Sequence, residues 1–500
     1  MKSILKKTIW FCKNILVLTG LLLLAGSCRG QELTYNLSQA IDQAKKNSLE
    51  YKIAANTIKS YYYNYQYYKS GFLPKLSITG SLPDYYNTIN SIVLPDGQNG
   101  FVSQNVASSS LNLNLLQNIG LTGGTVSFSS SLQRIDNFGS FRNTAYTTVP
   151  FTLRYSQNNL FYNDFKWQKR IEPLKFKEAQ RKYTEDLEGI SVSTISKYFD
   201  LLLAQVQLKL DRQNFFNIDT LTKITQSRFA IGTVQLNEVL QSKISLLNAK
   251  KAVANSTLSL QTAQQNFVKY LNIEKKTQIL LTVPDSLVFF QIDADIALEK
   301  AKANRKYLIE FERRLLTAEQ SVAQVKSQTG PSINLQANIG LTQTGNSFIQ
   351  AYSNLLRNQS LVVGFYIPLL DWGVNKSNRK RAEANLELEK NNISQETLTI
   401  EQEILYQVMK WNMQMDQMAN AREASNLAQQ RYNISKQKYS AGSMSFTDFN
   451  NAQLDKDKAV IDYIYNIYTY WGLFYNLRKI TLFDFLSHKD IELTDILNLK

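Results

Sequence analysis

Two stretches of the 500-residue chain share a pattern of residue types: "RFAIGTVQLNE" at 228–238 and "KYSAGSMSFTD" at 438–448. Each has an aromatic residue (Phe229, Tyr439), then a glycine (Gly232, Gly442), then a carboxylate six positions on (Glu238, Asp448). Carboxylates so placed attract cations, or simply favour the start of a helix, where the backbone dipole is positive. Acid–base or nucleophilic catalysis would need a partner group, and none repeats beside them. The one histidine, His488, excludes a multi-histidine metal site and would have to serve any Ser-His or Cys-His triad alone. A Walker A sequence is absent, so no nucleotide hydrolysis is expected. These observations point away from an enzyme and call for no cofactor. The glycines are read as helix reversals, because a reversal often requires left-handed backbone.

Long elements must carry those turns, and the chain has only 8 prolines and 20 glycines to interrupt them. One helix is expected from about Asp164 to Phe229, with a break or kink at Pro173 and a stripe at Ile195, Phe199, Leu202 and Val206. At 1.5 Å per residue it would approach roughly 100 Å. A second runs from about Leu236 to Leu271, with an apolar stripe of Leu240, Ile244, Leu247, Ala254 and Leu258. Its later counterpart carries Val460, Ile464, Ile467, Trp471 and Phe474, a seam suited to side-by-side packing. A further helix begins near Ser38 and ends before Pro74; its "YYYNYQYY" run fits either a membrane-interface belt or helix packing. Strict alternation marks strands in "KLSITGSL", "SLNLNLL", "TVSFSSSL", "VPFTLRY", "SINLQANIGL" and "LVVGFYI". A membrane barrel and a soluble β-sandwich would both show that alternation.

The N-terminal "MKSILKKTIWFCKNILVLTGLLLLAGSC" reads as a bacterial export signal. "AGSC" fits a lipoprotein signal ending at residue 27 with acylation of Cys28; cleavage after Gly30 is the alternative. Either way the mature chain has at most one cysteine and no intramolecular disulfide. No later apolar run is long enough for a transmembrane helix. The formal charge of +15 is spread along helices, which reads as solvated faces with no nucleic-acid partner.

The chain is internally duplicated. Pairing Gly232 with Gly442 sets an offset of 210, which also aligns Phe229 with Tyr439, Thr233 with Ser443, Glu238 with Asp448 and Gln241 with Asn451. Pairing Pro74 with Pro331 sets an offset of 257. The 47 extra residues in the first half hold a hairpin across "QNIGLTGG". Each half is one αββαα unit. The first comprises a helix (31–72), strands with the extra hairpin (73–160) and long helices (161–283). The second repeats these at 284–330, 331–370 and 371–480, leaving a tail at 481–500.

This order resembles the outer-membrane efflux protein (TolC) family over nearly all of the mature chain. The pieces that carry it are "LTYNLSQAIDQAKKNS", "GFLPKLSITG", "FYIPLLDWGVNKSNRKRAEANLE" and the two F/Y-x-x-G-T/S turns. The resemblance implies an α+β membrane protein: a homotrimer whose chains give four core strands each to a shared outer-membrane β-barrel and long helices to a periplasmic α-barrel. The extra hairpin could enlarge the barrel, cap its mouth or fold elsewhere. The implied function is a passive exit duct of a tripartite efflux or type I secretion system, working with a periplasmic adaptor (membrane fusion) protein, an inner-membrane pump and outer-membrane lipid. The alternative is a periplasmic or surface-attached helical scaffold with a soluble β-domain.

By the same resemblance Ile231, Gly232, Thr233, Ala441, Gly442 and Ser443 are adaptor-docking turns. Three copies of Glu238 and Asp448 would ring the constriction with acids, which select cations. Tyr439 matches a gate-tethering tyrosine. Met444 stands where the family's tether has arginine, and Asn451 where its selectivity ring has aspartate.

Overall fold

The computed structural model describes residues 32–93, 95–139, 142–273, 278–284 and 287–491. The export signal, Cys28 and the end of the C-terminal tail lie outside them. By internal contacts the chain forms two compact units.

One unit, Thr57–Lys182 with Arg305–Gln402, contains a six-stranded antiparallel sheet. Its strands are β2 (Lys75–Val93), β3 (Asn99–Ile119), β4 (Gly124–Asn137), β5 (Asn143–Gln157), β7 (Ser332–Gly345) and β8 (Leu356–Tyr366), adjacent in that order. The extra hairpin is β3–β4, paired to β2 on one side and β5 on the other. The hairpin, whose place the sequence left open, thus joins the four core strands in one six-stranded sheet. The inserted strands keep the alternating pattern of their neighbours, so they extend the ladder in place.

The register makes the two faces unlike. Leu76, Leu115, Phe128, Leu153 and Ile339 lie opposite one another across five strands. One residue along, Ser77, Asn114, Ser129, Thr152, Gly340 and Asn358 form a polar row across all six. Side chains alternate with period two, so these rows face opposite ways. Apolar residues of this sheet remain uncovered, including Leu76 at 67%, Phe365 at 75% and Leu361 at 70% exposure. β2 and β8 are its two free edges. β2 also reaches well past the stretch legible by alternation, through a register shift between Ser81 and Asp84 where Pro83 cannot donate to the ladder.

Helices α1 (Leu37–Asn47) and α2 (Leu49–Ser70) replace the single helix expected near Ser38. Asn36, not Ser38, caps α1: its side chain accepts from the Gln39 N–H at 2.8 Å, and the Gln39 side chain accepts from the Asn36 N–H at 3.0 Å. In the tyrosine run, Tyr62 and Tyr65 pack on Phe176, with Tyr65 stacked at 5.1 Å, and Tyr68 packs on Phe72. Tyr63 and Tyr67 are left exposed. α3 (Asp164–Ala230) continues through Pro173 without the expected break. Proline removes one backbone donor, and the Phe176 packing lies in the following turn.

The other unit comprises the described parts of Met1–Asn56, Tyr183–Asn304 and Glu403–Thr494. It contains most of α3, all of α4 (Leu236–Leu271) and α5 (Ala294–Asn304), the later part of α8 (Val374–Ser440), and α9 (Phe446–Thr481). The remaining helices, α6 (Tyr307–Thr329) and the short α7 (Phe348–Ala351), belong to the sheet-bearing unit. Here β1 (Glu32–Tyr35) pairs parallel with β6 (Gln278–Leu281), and the buried Tyr198 hydroxyl sits 2.6 Å from the Thr282 carbonyl. An extended segment at 288–292 is pinned by Trp411 Nε1 to Phe290 O (2.8 Å), Tyr470 Oη to Val288 O (2.7 Å) and two 3.0 Å bonds between Asn412 and Ile292.

The duplication is exact in the length of three helix pairs. α3 and α8 have 67 residues each, α4 and α9 have 36, and α1 and α5 have 11. Their starts are offset by 210, 210 and 257 residues.

Candidate functional site

The two glycine turns join α3 to α4 and α8 to α9, and both are built alike. Gly232 and Gly442 have φ of +78° and +81°. The Gly232 N–H donates to Phe229 O and the Thr233 N–H to Arg228 O, at 2.9 and 3.0 Å. At the second turn the Gly442 N–H donates to Tyr439 O and the Ser443 N–H to Lys438 O, both at 3.0 Å. This is the Schellman arrangement, in which left-handed backbone turns two N–H groups back onto otherwise unsatisfied helix carbonyls. The hydroxyls of Thr233 and Ser443 bond the same two carbonyls at 2.9 and 3.1 Å. Ile231, Gly232, Thr233, Ala441, Gly442 and Ser443 are all exposed.

The expected gate residues fall into different environments. Tyr439 is buried, its hydroxyl 2.7 Å from Thr225 Oγ1 on α3. Its ring stacks on Phe449 at 5.5 Å and meets Phe446 edge-on at 6.0 Å. Leu221, Tyr432, Tyr439, Phe446 and Phe449 form a buried cluster, and Met444 is half-buried against it. Met444 therefore packs against apolar side chains. Ser445 caps the helix of Asp448: the Asp448 N–H donates to Ser445 Oγ at 3.1 Å, and the Ser445 hydroxyl donates to the Asp448 carboxylate at 2.8 Å. Glu238 has no such partner; the N-cap Gln235 makes no side-chain cap bond. Asn451 is exposed.

Arg228 was not singled out by the sequence pattern. Its guanidinium donates to the carbonyls of Tyr439 (3.2 Å) and Ser440 (2.9 Å) and lies over the Tyr439 ring, 5.6 Å from its centre. One turn thus holds the helix end of the other. A readable signal existed: Arg228 aligns with Lys438 at the offset of 210, and a cation in a last helical turn faces free carbonyls. Gln241 Nε2 donates to Thr447 Oγ1 at 3.1 Å, a tie between α4 and α9 beside that between α3 and α8.

The two apolar stripes also part company. On α9, Ile464, Ile467 and Phe474 are buried within the chain. On α4, Leu240, Ile244, Leu247 and Leu258 are 51–67% exposed. No group of three or more metal-binding His, Cys, Asp or Glu side chains occurs among the described residues.

The outer membrane efflux protein family model matches residues 40–272 and 297–468. The chain belongs to the outer membrane efflux protein family. It is accordingly an outer-membrane efflux channel with a periplasmic helical extension. No curated protein matches it in sequence. Among solved structures, the Campylobacter jejuni CmeC outer membrane channel superposes with a TM-score of 0.64 at 17% identity, over 89% of this chain and 85% of that one. The Vibrio cholerae outer membrane protein VceC gives 0.61 at 13% identity, over 89% and 95%. The Neisseria gonorrhoeae MtrE channel, in its open state, gives 0.57 at 13%, over 89% and 88%. These likenesses establish the shared fold. They are matched by the duplicated helix pairs and the alternating sheet described above.

Proposed function

We propose that three copies of the chain form one duct, each giving six strands to a common barrel and its long helices to a common periplasmic tunnel. The observation that carries this reading is the sheet itself: one uncovered apolar face, one polar face and two unpaired edges. A soluble sandwich would cover the apolar face with a second layer. In lipid, the edges must be paired, and only a closed barrel does that. The exposed α4 stripe is supported in the same way, by helices of neighbouring copies.

Cargo passes through the duct passively. An inner-membrane pump supplies energy, and a periplasmic adaptor engages the exposed turns at Ile231–Thr233 and Ala441–Ser443. The apolar Ile231, 75% exposed, gives such a partner a foothold. Glu238 and Asp448 bias the constriction toward cations.

The test is fractionation followed by planar-bilayer recording. The expected result is retention in washed outer membranes, a native mass of three chains in detergent, and ion-conducting channels. Recovery in the soluble periplasm would overturn the duct and favour the helical scaffold with a soluble β-domain.

A further inference from the structure

The two repeats meet within one chain at one end of the sheet, and that contact serves as a template. Between β5 and α3, the Leu160 N–H donates to Ile333 O and the Asn159 N–H to Asn334 Oδ1, both at 2.9 Å. Asn159 Nδ2 donates to Ser327 O at 3.1 Å. Two residues further on, Gln320 Nε2 on α6 lies 3.5 Å from Tyr162 Oη and 2.9 Å from Asp164 Oδ1. The first-half linker is therefore seated on the second-half α6 and the start of β7.

The second-half linker covers the same interval, from the end of β8 to the start of α8. Among the described residues its large apolar side chains are left open: Leu369, Leu370 and Trp372 are 92%, 72% and 89% exposed. The offset of 210 turns Leu160 and Tyr162 into Leu370 and Trp372. The offset of 257 turns Gln320, Ser327 and Ile333 into Tyr63, Ser70 and Leu76. That face is bare as well, with Tyr63, Tyr67 and Leu76 at 68%, 76% and 67% exposure. Tyr63, Tyr67 and Ser70 are spaced four and three apart, so they share one side of α2.

These two bare surfaces lie at opposite edges of the sheet but at the same end. Lys75 begins β2 and Tyr366 ends β8 at that end, and the strand pairings carry the level of Lys75 through Leu116, Ser127, Arg154 and Asn338 to Ser360, on β8 before Tyr366. They cannot meet within one chain, but neighbouring copies that pair β8 with β2 would bring them together. We infer that Leu370 and Trp372 of one copy seat on the Tyr63–Tyr67 face and the start of β2 of the next. The chemistry changes between the two seams. Where the internal seam uses Tyr162, Asp164 and Gln320, the corresponding positions are Trp372, Val374 and Tyr63, so the seam between copies is aromatic and apolar. The linker backbones differ accordingly: the left-handed residue is Asn159 in the first, and Trp372 with Gly373 in the second.

The inference rests on the shared-barrel reading, and the test separates the two. In the full-length protein in isolated outer membranes, a Trp372→Cys/Tyr63→Cys variant is treated with a short bis-maleimide, beside each single variant and the unaltered chain. Bands of two and three linked chains, seen only with both cysteines, are expected. A native mass of three chains without those bands overturns the seam and leaves the trimer standing. A native mass of one chain overturns both. Should the double variant not reach the membrane, heat dissociation of the trimer decides: Trp372→Ala should lower the dissociation temperature and Trp372→Phe should retain it, and equal behaviour of the two overturns the inference.

Discussion

Arg228 lies over the ring of Tyr439 and donates to its backbone carbonyl at 3.2 Å, so a side chain from the first glycine turn closes the helix end of the second. This arginine comes from the other repeat, not from the position of Met444. Replacing Arg228 with alanine removes two hydrogen bonds worth about 1 kcal/mol each. If the tip is the gate, the variant conducts more at rest. Lysine should be intermediate, because it keeps the charge but loses the planar fork that reaches two carbonyls. Single-channel recording checks this, and resting conductance equal to wild type in Arg228→Ala would remove Arg228 from the gate.

The two turn carboxylates should separate on mutation. Asp448→Ala keeps the N–H that Ser445 caps but loses the side-chain hydrogen bond from the Ser445 hydroxyl, and should cost about 0.5–1 kcal/mol of stability. Glu238→Ala loses no such bond and should leave the unfolding midpoint nearly unchanged. Both should lower cation selectivity, read as a shift in reversal potential under a salt gradient. Unchanged selectivity in the double variant would leave both as ordinary first-turn acids.

Glu188 is a buried carboxylate, its side chain 3% exposed, held by Lys45 at 2.8 Å and Arg478 at 3.0 Å. Arg478 also reaches Asp484 at 2.6 Å. Removing one member of a buried pair leaves its partners uncompensated, so Glu188→Ala should destabilise by about 3–5 kcal/mol. Denaturant unfolding measures this, and a loss below about 1 kcal/mol would show that water already screens the network.

Burial raises the pKa of Asp457 above the ordinary carboxylate range; Lys456 opposes the rise and Asp211 adds to it. An acid whose pKa is higher folded than unfolded holds its proton more tightly in the folded state. Its contribution to stability therefore falls as pH rises from about 4 through the raised value. Asp457→Asn should flatten that part of the stability–pH curve. Thermal midpoints across the range test it, and an unchanged slope would place the titration elsewhere.

The helices were largely legible because their signals are local. Gly232 and Gly442 end them, the proline-free stretches let them run, and α4 begins and ends where its stripe is bounded by Leu236 and Leu271. The outer halves of β2 and β3 were not legible, because polar runs such as "DYYNTIN" do not alternate cleanly. The number of strands in the sheet was open for a different reason. A hairpin's alternation shows that it pairs, whereas its neighbours depend on contacts distant in sequence. The role of Arg228 at the other turn is not legible in the sequence, because only the fold brings residue 228 against 439. Asp448 shows the opposite limit: its residue type and spacing matched Glu238, yet its partner Ser445 gives it a local task that Glu238 lacks.

The tie at the tips runs in one direction. Lys438, the counterpart of Arg228, is exposed, and its side chain makes no hydrogen bond or ion pair among the described residues. Closed into a ring of three chains, the turns would alternate along the circumference between links fastened by arginine within a chain and links between chains that have no such arginine. Such a necklace has three tight clasps and three loose ones. It would part at the loose clasps first, dilating by separation of whole chains while each chain keeps its own two helix pairs together.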